Sequence, residues 1–418
     1  MLHPDYFDKK ADRMLELYRE LEDFIIKDIA RRVLAAGELT ATADRLLYRL
    51  QQAGLYRAEI ERKLAKVTQL SKKELRKILQ EAVIASWKND STALAAMGNE
   101  IKSPLSSPQI VRIMDAEYKK SLGELENLTR TTMSDSQRDL IQMLDQAEMT
   151  VAYGAETYAQ AACRLIDQYA GRGLIVSYPT GTRRTLEAAV RLCVVTAQNQ
   201  TAAQVTNQYI VEAGVQYVLV SAHLGARVKR DGQPDLAGHD LWQGKAYKIT
   251  GSEPGYPNLL DSTGYNIDPV TGTGTVVNPL GLHGYNCRHS HQPWDKELRN
   301  PWIDENGNPV IDQEESREKY RLSQKQRAME RAIRRTQRQL IAKKTELDEI
   351  SDQKEKARLK ANYESLAGRW AGQNKAYNDF CKDNKLQPQY DRMKTAGFDA
   401  GQKKSANAAA KRYTDGKE

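Results

Sequence analysis

Five of the six histidines in this 418-residue chain fall within 69 positions. They are His223, His239, His283, His289 and His291, and the last three share the run Gly281-Leu-His-Gly-Tyr-Asn-Cys-Arg-His-Ser-His291. Imidazole, thiolate and guanidinium are the groups proteins use for metal ligation, proton transfer and anion binding, so chemistry in this chain belongs here. Three readings are open. His283, Cys287 and His289 can converge from one loop, with His223 or His239 completing a tetrahedral set for zinc, the one cofactor the sequence has a place for. Alternatively, His223 with Arg227 and Arg288 with His289 pair a general acid/base with a cation that could hold a phosphate, as a nuclease-like hydrolase requires. No carboxylate cluster for magnesium accompanies them. The third reading is architectural: side chains such as Asn286, Arg288 and His289 donate to the carbonyls that an irregular loop leaves without partners. Arg288, a fixed fork, is the residue expected to tie several of them. We take the motif to be architectural before catalytic, with no cofactor required. Gly272, Gly274 and Gly281 match no phosphate-loop spacing and read as a flexible surface loop.

The elements that must position these residues are mostly helices. From about residue 6 to 36, Met14, Tyr18, Leu21, Ile25, Ile29 and Val33 recur every three or four positions, and this amphipathic face is expected to dock on a larger assembly. Gly37 ends that helix. Thr40 and Thr42 can cap a second one carrying Leu46, Leu47 and Leu50, which Gly54 breaks, and Ser71-Lys-Lys-Glu74 opens a third through Trp87. Asn89 to Pro108 reads as a loop, followed by helices near 108–131, 135–149 and 155–171, the second starting at Ser134-Asp-Ser. After Gly171 the texture changes. Strands are predicted at Leu174–Tyr178 and Gln216–Ser221, flanking a helix that starts within 180–185 and buries Leu186, Val190, Cys193 and Ala197. Residues 222–312 are rich in Gly, Pro and Asn. From Asp312 helix resumes, with Ile333, Leu340 and Leu347 spaced by sevens, as a long helix or helical hairpin. The fold class is therefore α+β and mainly helical: a helical region over 1–171, a loop-rich α+β unit over 172–312, a long basic helical region over 313–400 and a flexible basic tail over 401–418.

Hydrophobic residues at 40% and charged residues at 28% are globular values. No apolar run approaches the roughly 20 residues that cross a bilayer, and the start lacks the features of a signal peptide, so no membrane partner is expected. Cys163, Cys193, Cys287 and Cys381 lie far apart with no Cys-x-x-Cys pair, against a disulfide framework and a zinc finger; Cys163 and Cys193 read as core residues. The formal charge of +8 is concentrated. Eleven basic residues between Arg317 and Lys344 face only Glu318 and Glu330. Among them Arg327, Arg331, Arg334 and Arg338 are spaced four, three and four. They would line one helical face, either as a solvated surface or as a sequence-independent contact with duplex DNA.

Several motifs then stand in a telling order: Tyr178-Pro-Thr-Gly-Thr, Ser221-Ala-His-Leu-Gly-Ala-Arg227, His239 with Trp242-Gln-Gly-Lys245, Tyr256-Pro, and Gly284-Tyr-Asn-Cys-Arg-His289. With Leu21-Glu-Asp-Phe-Ile-Ile-Lys-Asp-Ile-Ala and Gln387-Pro-Gln-Tyr-Asp-Arg-Met, this order resembles the minor capsid proteins of tailed phages and, more distantly, the Mu gpF-like head morphogenesis proteins. The resemblance spans most of the chain. It implies a structural protein present in few copies per virion, at the portal vertex or inner head shell, acting in head assembly and DNA packaging or delivery. Its implied partners are the portal protein, other head proteins and packaged double-stranded DNA, and its implied location is the virion, after assembly in the host cytoplasm. Tyr178, His223, Arg227, His239, Trp242, Asn286, Cys287, Arg288 and His289 are the motif residues. The alternative function is a virion-carried nuclease-like hydrolase centred on the histidines.

Overall fold

The apolar stripes run longer than the punctuation of the sequence suggests. The computed structural model describes residues 1–39, 42–178 and 180–416; the expected cap Thr40, Pro179 of the tyrosine motif, the last two residues of the expected tail and the side chains of Leu46 and Leu50 lie outside the described set. Helix α1 (Pro4–Ala35) buries Met14, Tyr18, Leu21, Ile25, Ile29 and Val33, but also Arg19, Glu22, Asp23 and Asp28. A helix covered on its polar side as well as its apolar side is an internal element. The docking role expected of its apolar face is therefore withdrawn.

Helix α2 (Thr42–Ala96) is unbroken, although Gly54 and Ser71 predict two interruptions. Tyr56, Ile60, Leu64, Val67, Ser71, Leu75 and Ile78 follow one another at steps of three and four, and all are buried. Ser71 is thus a stripe position and not a cap. One glycine costs a helix about 1 kcal/mol, which a continuous buried face outweighs. The loop expected from Asn89 begins only at Met97, where Gly98 with φ of 77° closes the helix. Helix α3 (Pro108–Ala152) runs through Ser134-Asp-Ser by the same logic. Its buried Thr132 and Ser136 donate to Leu128 O at 2.8 Å and Met133 O at 3.0 Å, so the hydroxyls are satisfied by their own helix.

Helix α4 (Tyr158–Arg172) starts at a capping box made by Thr157 and Gln160. The hairpin β1 (Ile175–Ser177) and β2 (Arg183–Thr185) follows; β2 occupies part of the stretch expected to start a helix, and helix α5 (Leu186–Glu212) begins one residue later. The predicted buried face of α5 is observed at Leu186, Val190, Cys193 and Ala197. Next come β3 (Tyr217–Val220), α6 (His239–Trp242), β4 (Ala246–Lys248), α7 (Leu259–Thr263), the hairpin β5 (Tyr265–Ile267) and β6 (Gly274–Val276), and β7 (His291–Trp294). Strand β3 pairs antiparallel with both β4 and β7, setting Val218 opposite Tyr247 and Pro293, and Val220 opposite His291. Val218, Val220, Trp242, Tyr247, Leu282 and Cys287 belong to one buried cluster.

Helices α8 (Gln313–Glu349) and α9 (Gln353–Asp383) are joined by a three-residue turn, and the Asp352 carboxylate caps α9 through Glu355 N–H at 2.7 Å. The chain beyond 400, expected to be a loosely ordered tail, forms helix α10 (Ala400–Asp415), which packs on α9. Small residues make this possible: Ala406, Ala409 and Ala410 are buried, leaving lysines on the other side. The fold is thus mainly helical with three small sheets among the described residues. It is built as two compact units, one from Met1–Met14, Ser71–Leu125 and Arg191–Gln324, the other from Leu15–Leu70, Glu126–Val190 and Lys325–Glu418.

Candidate functional site

The first unit holds all five clustered histidines. Strand β3 delivers Ser221-Ala-His223, α6 starts at His239, and the loop from 277 to 290 carries His283, Cys287 and His289 into β7, which begins at His291. The fork on this loop is Arg227: Nη1 donates to Leu280 O at 2.9 Å and Nη2 to Tyr285 O. Its own carbonyl accepts His239 N–H at 2.7 Å. The loop is not the flexible segment its glycines suggested. Gly281 is buried, and a Cβ there would overlap Thr263 O. His283 and Asn286 take left-handed φ values of 57° and 54°, which cost a non-glycine residue free energy and hold only where the surroundings fix them.

The histidines form two groups. In the first, His239, Cys287 and His289 bring one ligand atom each to within 4.8 Å of one another. His239 Nδ1 lies 3.3 Å from His289 Nδ1, and Cys287 Sγ lies 3.8 Å from the latter. The opposite ring nitrogens are held from outside: His239 Nε2 meets Leu280 O at 2.9 Å and His289 Nε2 meets Gln243 Oε1 at 3.1 Å. Trp242 closes one side, its ring 4.5 Å from His239 and 4.9 Å from His289, with Nε1 donating to Leu236 O. His223 stacks on His289 at 4.4 Å. It is not one of the three converging residues.

His283, expected beside Cys287, belongs to the second group. Its Nδ1 meets Asn199 Oδ1, its Nε2 lies 2.8 Å from His291 Nδ1, and His291 Nε2 lies 2.9 Å from Asn207, whose amide is 2.7 Å from Tyr265 Oη. Asn199 is oriented by its Nδ2 donating to His289 O at 2.8 Å. His283 Nδ1–H donates to Asn199 Oδ1, His291 Nε2–H donates to Asn207 Oδ1, and Asn207 Nδ2 donates to the Tyr265 hydroxyl. His291, Asn199, Asn207, Tyr265 and Gln243 were not singled out as site residues from the sequence. The available signal was Asn199 and Asn207 eight residues apart on α5, hence on one helical face.

Burial dominates the electrostatics. It holds His239, His283 and His289 well below the usual histidine range and His291 down to about 3, and it pushes the Cys287 thiol up. Arg227 adds to the depression at His239. His239 and His289 are 2% and 1% exposed, and among the described residues no carboxylate joins their group. A phosphodiester could reach these rings only by displacing the loop, and both Nη atoms of Arg227 already serve carbonyls. The geometry therefore favours a structural or metal-holding role over hydrolysis. Asn286 is exposed and Arg288 half-buried on the same loop.

The arginine stripe is divided by the fold. Arg334 is buried, with Nε 2.8 Å from Glu187 and Nη1 donating to Arg392 O. Arg338 is buried 3.5 Å from Glu22, and its Nε donates to Ala170 O at 3.0 Å. Acidic partners missing along α8 are thus supplied by α1 and α5, and these two arginines are not available to an external polyanion. Arg327 is half-buried, while Arg331 and its neighbour Arg335 are exposed. Tyr178 lies in the β1–β2 turn of the second unit, its N–H donating to Thr182 O at 2.9 Å and its ring under the Arg184 guanidinium. Unit membership separates it from the other motif residues.

A mainly helical protein with a buried, loop-stabilising histidine core fits a structural class better than an open active site. Residues 2–367 match the family described as phage minor capsid protein 2, and the chain belongs to that family. It is accordingly a structural protein of the phage head and a component of the virion. Neither the curated proteins nor the solved structures compared with it gave a match. Among the described residues no helix is long and apolar enough to cross a membrane.

Proposed function

We propose that the protein acts during head assembly at the portal vertex or the inner face of the shell, where it contacts the portal protein and packaged duplex DNA without reading sequence. The observation that supports this, beyond the family, is the set of exposed cations that remains once the buried arginines are set aside. Arg331 and Arg335 on α8, and Lys403, Lys404 and Lys411 on α10, are exposed and make no ion pair among the described residues. Like charges four apart on one helix, as Arg331 and Arg335 are, repel one another and are relieved by a polyanion. Binding to duplex DNA should weaken steeply with salt, by a slope near 0.9 per phosphate neutralised. Replacing Arg331 and Arg335 by Gln should lower that slope by about 2 in a salt titration followed by fluorescence anisotropy. An unchanged slope would refute the DNA contact. Incorporation of the protein into proheads made with and without portal tests the location.

A further inference from the structure

The second histidine group is tied to α5 through Asn199 and Asn207. The first presents its ligand atoms to one another. His239 Nε2 faces Leu280 O at 2.9 Å, a carbonyl that can only accept, so this nitrogen carries the proton. His289 Nε2 faces Gln243 Oε1 at 3.1 Å. That oxygen also accepts the His223 backbone N–H at 3.0 Å, so the amide cannot be turned, and His289 Nε2 carries a proton as well. Each ring therefore presents its lone pair at Nδ1, and the two Nδ1 atoms sit 3.3 Å apart. The Cys287 thiol has one proton to give and reaches His289 Nδ1 at 3.8 Å. Two converging lone pairs and one sulfur call for a cation at their centre.

We infer that His239 Nδ1, His289 Nδ1 and Cys287 Sγ bind one zinc ion, which fastens the 277–290 loop to α6. Two spacings agree with zinc, 3.3 Å between the Nδ1 atoms and 3.8 Å from Cys287 Sγ to His289 Nδ1. Tetrahedral ligation at Zn–N of about 2.05 Å and Zn–S of about 2.3 Å requires N···N of about 3.3 Å and S···N of about 3.6 Å. One thiolate and two imidazoles also select zinc over magnesium or calcium, which prefer oxygen. The outer hydrogen bonds match as well: metal-bound histidines give their other N–H to a carbonyl or amide oxygen, which fixes ring and tautomer, and Leu280 O and Gln243 Oε1 do this here. Binding would release the thiol proton to solvent as the Zn–S bond forms, and the three protein ligands leave a fourth position for a water.

The test uses the full-length protein purified without a metal-chelating tag. Elemental analysis should find about one zinc per chain, and treatment with a strong chelator should lower the melting temperature, with recovery on adding back zinc. Cobalt(II) loaded into the folded, chelator-treated protein should give a thiolate-to-cobalt charge-transfer band, and Cys287→Ser should lose that band and bind zinc at least tenfold more weakly. If Cys287→Ser fails to fold, the cobalt spectrum and zinc titration of the unaltered protein decide alone. Absence of bound zinc together with no uptake at micromolar free zinc would overturn the site. So would a charge-transfer band that survives in Cys287→Ser, since the metal would then lie on another cysteine.

Discussion

Arg227 carries more of the loop than its place in the sequence suggests. Its two Nη atoms hold Leu280 O and Tyr285 O, on either side of the residues that carry His283 and precede Cys287. Replacing it with Ala leaves both carbonyls without that donor, and charge-assisted hydrogen bonds are worth about 1.5–3 kcal/mol each before water compensates. Arg227→Ala should therefore lower the stability of the protein by roughly 2 kcal/mol in thermal or urea unfolding; an unchanged midpoint would show that water replaces the fork without cost.

Asp90 offers a second test at this scale, through pH. It is fully buried, accepts from Thr206 Oγ1 at 2.7 Å and Ser86 Oγ at 3.1 Å, and burial raises its carboxyl from 3.8 to about 7. Below pH 3.8 the group is protonated in both folded and unfolded chains. Between there and 7 the folded protein keeps a proton that the unfolded chain has lost, so this contribution to stability declines as pH rises, by up to roughly 4 kcal/mol in all. Asp90→Asn keeps an acceptor oxygen and never ionises. Its melting temperature relative to the unaltered protein should rise from pH 5 to pH 8, a comparison in which the histidine contributions cancel. A constant difference would mean that Asp90 is already ionised at the lower pH. The histidine run was legible because histidine and cysteine are rare and clustered, whereas Asp90 and Asn207 were not. Polar residues on a helix read as surface until the packing that buries them is known.

At the scale of elements, helix α10 was missed for the opposite reason. A segment of Ala, Lys, Ser and Asn has little to bury, and it holds its place because α9 leaves a notch for it. Gly368 on α9 faces the Tyr413 ring of α10, and a Cβ there would overlap the ring. Helix propensity alone says that Gly368→Ala should stabilise α9 by about 1 kcal/mol. Overpacking says the reverse, by about 1–3 kcal/mol. We expect the second to win, with α10 released and cleaved faster in limited proteolysis; a variant with a raised melting temperature and unchanged cleavage would show that Tyr413 simply turns aside. The long helices α2 and α3 run through Ser, Thr and Gly residues that locally signal boundaries. Their positions on the buried stripe, Ser71 and Thr132 among them, show that the period of the stripe outranks local caps when a helix has neighbours to bury against. The apolar spacing of α8 and α9 leaves a long helix or a hairpin open, and the turn before the Asp352 cap makes it a hairpin. The arginines on α8 misled because their carboxylate partners, Glu22 and Glu187, lie more than a hundred residues away in the chain.

For the whole molecule, the sequence carried the class through the order of its motifs. Its packing was out of reach, because nothing local in a sequence records that residues 15–70 share a unit with 325–418. That arrangement bears on synthesis at the ribosome. The first unit receives its last segment at Gln324, and the second remains incomplete until the chain is nearly finished. Domains usually fold one after another as they emerge. Here the apolar side of α1 is translated first, yet the second unit, which contains Leu21, Ile25, Ile29 and Val33, lacks its closing helices through most of translation. The nascent protein thus carries sticky surface for the longest part of its birth, and a premature stop anywhere after 324 yields a first unit with nothing to finish the second. Such products are substrates for chaperones and proteases before any of them can enter a head.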